Sequence, residues 1–124
     1  MAKVFLCFGA ASAGLAVALG AFGAHGLKTR LAADLLGVYL TAVQYHFWHA
    51  LGLLIVGLVA LRYPESAQIK WSGWLMVAGT IFFSGSLYIL SLTGWRALGA
   101  FAPIGGSAFL AAWFALGWGI WRAS

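Results

Sequence analysis

Acidic side chains are nearly absent: Asp34 and Glu65 are the only two among 124 residues. Charge of either sign is scarce at 7%, whereas 64% of the residues are hydrophobic and the mean hydropathy is +0.98. An average soluble domain is roughly 45–50% apolar and about 25% charged. A water-soluble fold could not cover this much apolar surface, so lipid must be part of the solvent. One cysteine, Cys7, excludes an intramolecular disulfide and reads as a small buried apolar thiol inside the first hydrophobic run. The short alternating strands that a membrane β-barrel requires are also missing.

Four apolar tracts remain, at 4–24, 42–61, 71–92 and 103–121, each close to the roughly 20 residues that cross a ~30 Å hydrocarbon core. The breaks between them, "HGLKTR", "RYPESAQIK" and "TGWRALGAFAP", hold the charges and turn formers. Pro103 suits the first turn of the last helix. No proline separates Arg30 from Leu61, so residues 30–41 form an expected interfacial lead-in helix to the second span, with a bend near Gly37. Lys3 followed by an apolar run and "GAFGA" resembles a signal peptide; the run is long enough to span and is taken as a retained first helix. The predicted fold is all-α, an integral membrane antiparallel four-helix bundle in a single domain, 1–124.

The Lys and Arg side chains (Lys3, Lys28, Arg30, Arg62, Lys70, Arg96 and Arg122) are scattered at the ends of the apolar tracts. No basic run exists to track a phosphate backbone, so nucleic acid is not an expected partner; the lipid bilayer is. Lys3, Arg62, Lys70 and Arg122 fall on the side of the N-terminus, against Lys28, Arg30 and Arg96 on the other. This excess predicts both termini in the cytoplasm. Trp71, Trp74, Trp118 and Trp121 on one side and Trp95 on the other mark the aromatic belts of the two interfaces. Trp48 and Trp113 lie deeper, and their indole N–H groups need partners.

Helices in lipid associate by close packing rather than by the hydrophobic effect. Gly9, Ala13, Ala16 and Gly20 form a stripe on the first span, and Gly105, Ala108, Ala112, Ala115 and Gly119 one on the fourth. Ser84 and Ser86, in "FSGSLY", permit tight contact with their hydroxyls bonded to backbone. Such surfaces also suit a homo-oligomer or a larger membrane assembly.

Four segments in order, "GAFGAHG" (20–26), "YHFWHAL" (45–51), "FSGSLY" (83–88) and "PIGGSAFLAAW" (103–113), resemble the YgdD-like family of small bacterial inner-membrane proteins of unknown function. The likeness covers nearly the whole chain, with one motif per span. It implies a four-helix protein of the inner membrane and supplies no reaction, substrate or cofactor. In its terms His25 belongs to the Gly-Ala-His motif and His49 to that of the second span, whereas other residues also occur at the position of His46.

The polar residues of "VQYHFWHAL" interrupt the second span. Counted from Ala42, His46 lies about 6 Å and His49 about 10 Å inside the edge, and at three residues apart they share a helix face. His25 closes the first span on the same side. His25, Gln44, Tyr45, His46 and His49, with Asp34 from the lead-in, are thus expected at one depth. Ionisable groups inside a membrane are functional candidates. The leading expectation is structural hydrogen bonding between helices in a small accessory protein. The alternative is a metal- or haem-binding module using His25, His46 and His49, since imidazole suits Zn, Cu, Fe and Ni. A proton or small-solute track through Tyr45, Thr80, Ser84, Ser86 and Tyr88 is a weaker reading. Catalysis is not expected: no nucleophile elbow or paired carboxylates exist, and a Ser–His pair without an acid is half a triad.

Overall fold

A computed structural model describes all residues, 1–124. Helix is the only regular secondary structure, and four helical spans, Ala2–Leu27, Ala33–Arg62, Ala67–Thr93 and Arg96–Ala123, are each long and apolar enough to cross a bilayer. They run up and down. Met1 and Lys3 lie beside Ala60, Pro64 and Lys70, and Arg122 lies beside Arg62 and Glu65, so both termini and the 62–66 turn share one end of the bundle.

Local chemistry sets the helix ends. The second span starts at Ala33 and places Asp34 in its first turn, where the helix dipole favours an anion. It then runs through Gly37 without interruption, so residues 33–41 of the expected lead-in are one continuous helix with the span, and residues 30–32 lie outside it. Hydropathy finds the greasy stretch, but backbone hydrogen bonding continues wherever no proline stops it. Ser66 caps the third span by accepting from the Ile69 N–H at 3.3 Å. That span stops at Gly94, whose φ of +73° is the left-handed conformation that glycine adopts most readily. A 3-10 turn, Arg96–Phe101, leads into the last helix, Ala102–Ala123, with Pro103 in its first turn.

Two wide π-helical turns interrupt the α-helical pattern, Gly23–Leu27 at the end of the first span and Thr80–Gly85 in the third. A π turn displaces backbone carbonyls from their usual partners. Ser86 answers this locally, its hydroxyl lying 2.6 Å from the Phe82 carbonyl and 2.9 Å from that of Phe83.

Small residues mark the close approaches. A side chain on Gly9 would stand 3.0 Å from the Leu54 nitrogen, and one on Gly105 would stand 2.3 Å from the Phe83 nitrogen. Gly20 faces Val43 and Gly57 faces Leu6, so glycines of both helices seat the first span on the second. Ala13 is half-buried, and Ala112 is fully buried where Ser72 donates to its carbonyl at 2.7 Å. Ser84 ties the third span to the second through the Ala42 carbonyl at 2.9 Å. The apolar core, centred on Phe5, Leu53, Val56, Ile69, Met76 and Leu116, fills the half of the bundle nearer the termini. There Phe5 reaches across to Gly73 and Trp74 of the third span. Leu110, Phe114 and Trp121 are about three-quarters exposed, at 75%, 74% and 77%, as side chains directed at lipid should be, and Cys7, expected to be buried, is exposed on the first span as well.

Substitution of Gly105 by Ala should therefore destabilise the bundle by about 1–3 kcal/mol, because the Phe83 backbone has nowhere to move. Gly117, whose added side chain would meet nothing within 4 Å, serves as the control. Gly117→Ala should be neutral or stabilising by up to roughly 1 kcal/mol. Denaturation in mixed micelles measures both, and equal losses would refute the close-approach account.

Candidate functional site

Tyr45, His46 and His49 lie on one uninterrupted helix. His46 stands about 20 Å along it from Ala33 and about 24 Å from Arg62, so the two histidines flank its midpoint. A separation of three residues rotates their side chains by about 60° around the axis. That rotation suffices to give them different neighbours.

His49 turns to the fourth span. Its Nδ1 lies 2.8 Å from the Tyr45 carbonyl, which can only accept, so Nδ1 carries the proton. Nε2 accepts from the Trp113 indole N–H at 3.0 Å. Phe109 stacks on the ring at a centroid distance of 3.5 Å. The partners thus define both the tautomer and the plane of the imidazole.

His46 turns to the first and third spans. Its Nε2 is 2.9 Å from the Ser12 hydroxyl and its Nδ1 is 2.8 Å from the Tyr88 hydroxyl. One ring therefore bridges three helices. Tyr39 packs edge-on against Tyr88 at 5.5 Å and, fully buried, donates its own hydroxyl proton to the Leu19 carbonyl. Both histidines are buried, at 4% and 6% exposure.

Of the other members of the expected cluster, only Tyr45 stays beside a histidine, its ring parallel to that of His49 at 6.1 Å. Gln44 faces outward and is exposed. His25 is exposed in the π turn that ends the first span. Tyr45 is half-buried, its ring against Phe83 and Trp48 at 4.6 and 5.1 Å. Asp34 pairs with Arg96 at 2.7 Å on the surface, with side-chain exposures of 60% and 68%, rather than joining the histidines. An exposed pair of this kind contributes little to stability; it does tether the 96–101 turn to the start of the second span.

This placement corrects the three-ligand arrangement expected from sequence. His25, His46 and His49 do not converge, and no group of three or more His, Cys, Asp or Glu side chains has the geometry to hold a metal ion. A ligand nitrogen must offer a lone pair, and the Trp113 N–H already occupies that of His49 Nε2. The same occupation opposes a haem axial pair of His25 with His49. Of the hydroxyls expected to form a track, three are committed to backbone, Thr80 to Met76, Ser84 to Ala42 and Ser86 to its own helix, and that of Tyr88 is bonded to the His46 ring.

Sequence reasoning missed Ser12 and Tyr39. Ser12 stands in "AASAGLA", where it reads as one more small packing residue. Trp113 had a signal, since a deep indole N–H requires an acceptor. If His49 and Trp113 act as a bonded pair, a double-mutant cycle of His49→Ala and Trp113→Phe should give a coupling of about 0.6 kcal/mol and at most roughly 1.7 kcal/mol, the range for interhelical bonds in lipid. Strict additivity would dissolve the pair.

Comparison with known proteins places these features in a group. The family model described as "Protein of unknown function (DUF423)" matches residues 19–106. The UPF0382 membrane protein YwdK of Bacillus subtilis is 51% identical over 111 residues, covering 90% of each chain. A UPF0382 membrane protein of Staphylococcus saprophyticus is 48% identical over 114 residues, covering 92% of this chain and 93% of its own. One from Staphylococcus aureus is 46% identical over 114 residues, covering 92% of each. No solved structure matches.

Proposed function

Because this chain belongs to the DUF423 family of membrane proteins, whose biochemical activity is unknown, we propose that it is a small non-catalytic accessory protein that works through helix contacts with a second copy or a larger membrane assembly. Its place is the bacterial inner (plasma) membrane, with both termini in the cytoplasm on the side of Lys3, Arg62, Lys70 and Arg122. The YgdD-like proteins are its narrower kin, and lipid and protein, not nucleic acid, are its partners.

One observation carries this reading. No buried side-chain nitrogen or oxygen lacks a hydrogen-bond partner, and the bonds of His46, His49, Ser72, Ser84 and Tyr39 run from helix to helix or lock a ring between helices. Side chains engaged in this way stabilise a scaffold by fixing the helices against one another. The outer face of the first span supports the contact role. Ala10, Gly14 and Ala18 recur there at intervals of four and are exposed, and a side chain added at Gly14 would meet nothing within 4 Å. Small residues at that spacing let a second helix approach closely.

Cross-linking in native membranes tests the role. In a Cys7→Ser background, Gly14→Cys should yield a discrete cross-linked adduct, and Phe114→Cys, directed at lipid on the fourth span, should not. No adduct at either site, or equal adducts at both, would remove the proposal. Stoichiometric metal or haem in gently purified protein, lost in His25→Ala/His49→Ala, would replace it with the metal-binding reading.

A further inference from the structure

In the half of the bundle away from the core, the first and third spans leave a groove of about 670 Å³ between them. Its size lies within the ~300–1,000 Å³ of small-molecule sites. The second span forms its floor with His46 and Ala50, and the 3-10 turn closes one end with Leu98 and Phe101. Leu15 and Ile81 on its walls are 55% and 61% exposed, so the groove opens sideways to lipid. No Lys, Arg, Asp or Glu lines it.

The floor carries one proton too many. A neutral imidazole has one N–H and one bare nitrogen. Of its two contacts to hydroxyls, one is therefore N–H donating to oxygen and the other O–H donating to nitrogen. The three groups hold three hydrogen-bonding protons and make two bonds. Every oxygen has a partner, yet one hydroxyl proton has no acceptor within the chain. A phenol is a stronger donor and a poorer acceptor than an alkyl hydroxyl, so Tyr88 donates to Nδ1 and Nε2–H donates to Ser12. The free proton is that of Ser12, which lines the groove.

We propose that this groove binds a membrane quinone, with a carbonyl oxygen accepting the free proton of Ser12. The occupant must bring an acceptor to the level of the second helix's midpoint, and it must be neutral because no cation lines the site. Glycerolipid ester carbonyls sit at the headgroup level, whereas a quinone ring dissolves in the hydrocarbon. This goes beyond the accessory role and does not depend on it.

Titration of the purified protein in detergent with decylubiquinone, followed by tryptophan quenching, tests the site. The wild type should saturate, Ser12→Ala should bind roughly five- to tenfold more weakly, the scale of one net hydrogen bond, and Ser12→Thr should keep wild-type affinity. Ala11→Phe, at an exposed wall position that fills the groove without entering a helix contact, should abolish saturation. Unsaturable quenching, the same in all variants, would overturn the proposal. Equal binding of decylbenzene would overturn it by showing a groove indifferent to the carbonyl, and preferential binding of methyl oleate would overturn it in favour of acyl esters. None of these results would alter the outcome of cross-linking at Gly14.

Discussion

Imidazole is suited to joining three helices because its two nitrogens sit on separate edges of one rigid ring. His46 uses this geometry to hold Ser12 on one side and Tyr88 on the other. In lipid a polar group cannot turn to water for its hydrogen bonds, so a side chain placed at mid-helix must find partners on neighbouring helices. Near the termini the first and third spans meet through Phe5 at Gly73 and Trp74. Farther along, the bridge through His46 links them, and the groove is the space left around it.

The same need for polar satisfaction accounts for the remaining interhelical bonds. Ser72 and Ser84 each donate to a carbonyl of an adjacent span, and His49 is locked between its own helix and Trp113. These bonds add direction to an association that arises chiefly from close backbone approach. Glycine serves that approach at Gly9 and Gly105, where even a methyl group would collide with the facing main chain. The π turn at Thr80–Gly85 belongs to the same arrangement: it sets Ser84 toward the second span and leaves Ser86 to satisfy the displaced carbonyls.

The bundle therefore has two unlike halves. Near the termini, aromatic and aliphatic side chains fill the space between all four spans. Toward the other end, polar bridges replace some of that packing and one side opens to lipid. The well-packed half and the open half thus differ both in how tightly the spans meet and in the polarity of what lies between them.

Composition and hydropathy by themselves determined the solvent, the number of spans, their antiparallel order and the stripes of Gly9, Gly20, Gly105 and Ala112. These are local properties: a charge-free run, a turn former or a small residue at helical spacing carries its meaning within one segment. The start of the second span was less legible, because hydropathy registers grease and not the hydrogen bonding that carries the helix back to Ala33. The site was legible only as a list of polar residues. That His46 meets Ser12 and Tyr88, that His49 meets Trp113 instead, and that His25 and Gln44 stay at the surface were decided by tertiary structure. A turn of about 60° along one helix separates the two histidines, and only the packed positions of three other helices determine what each then finds.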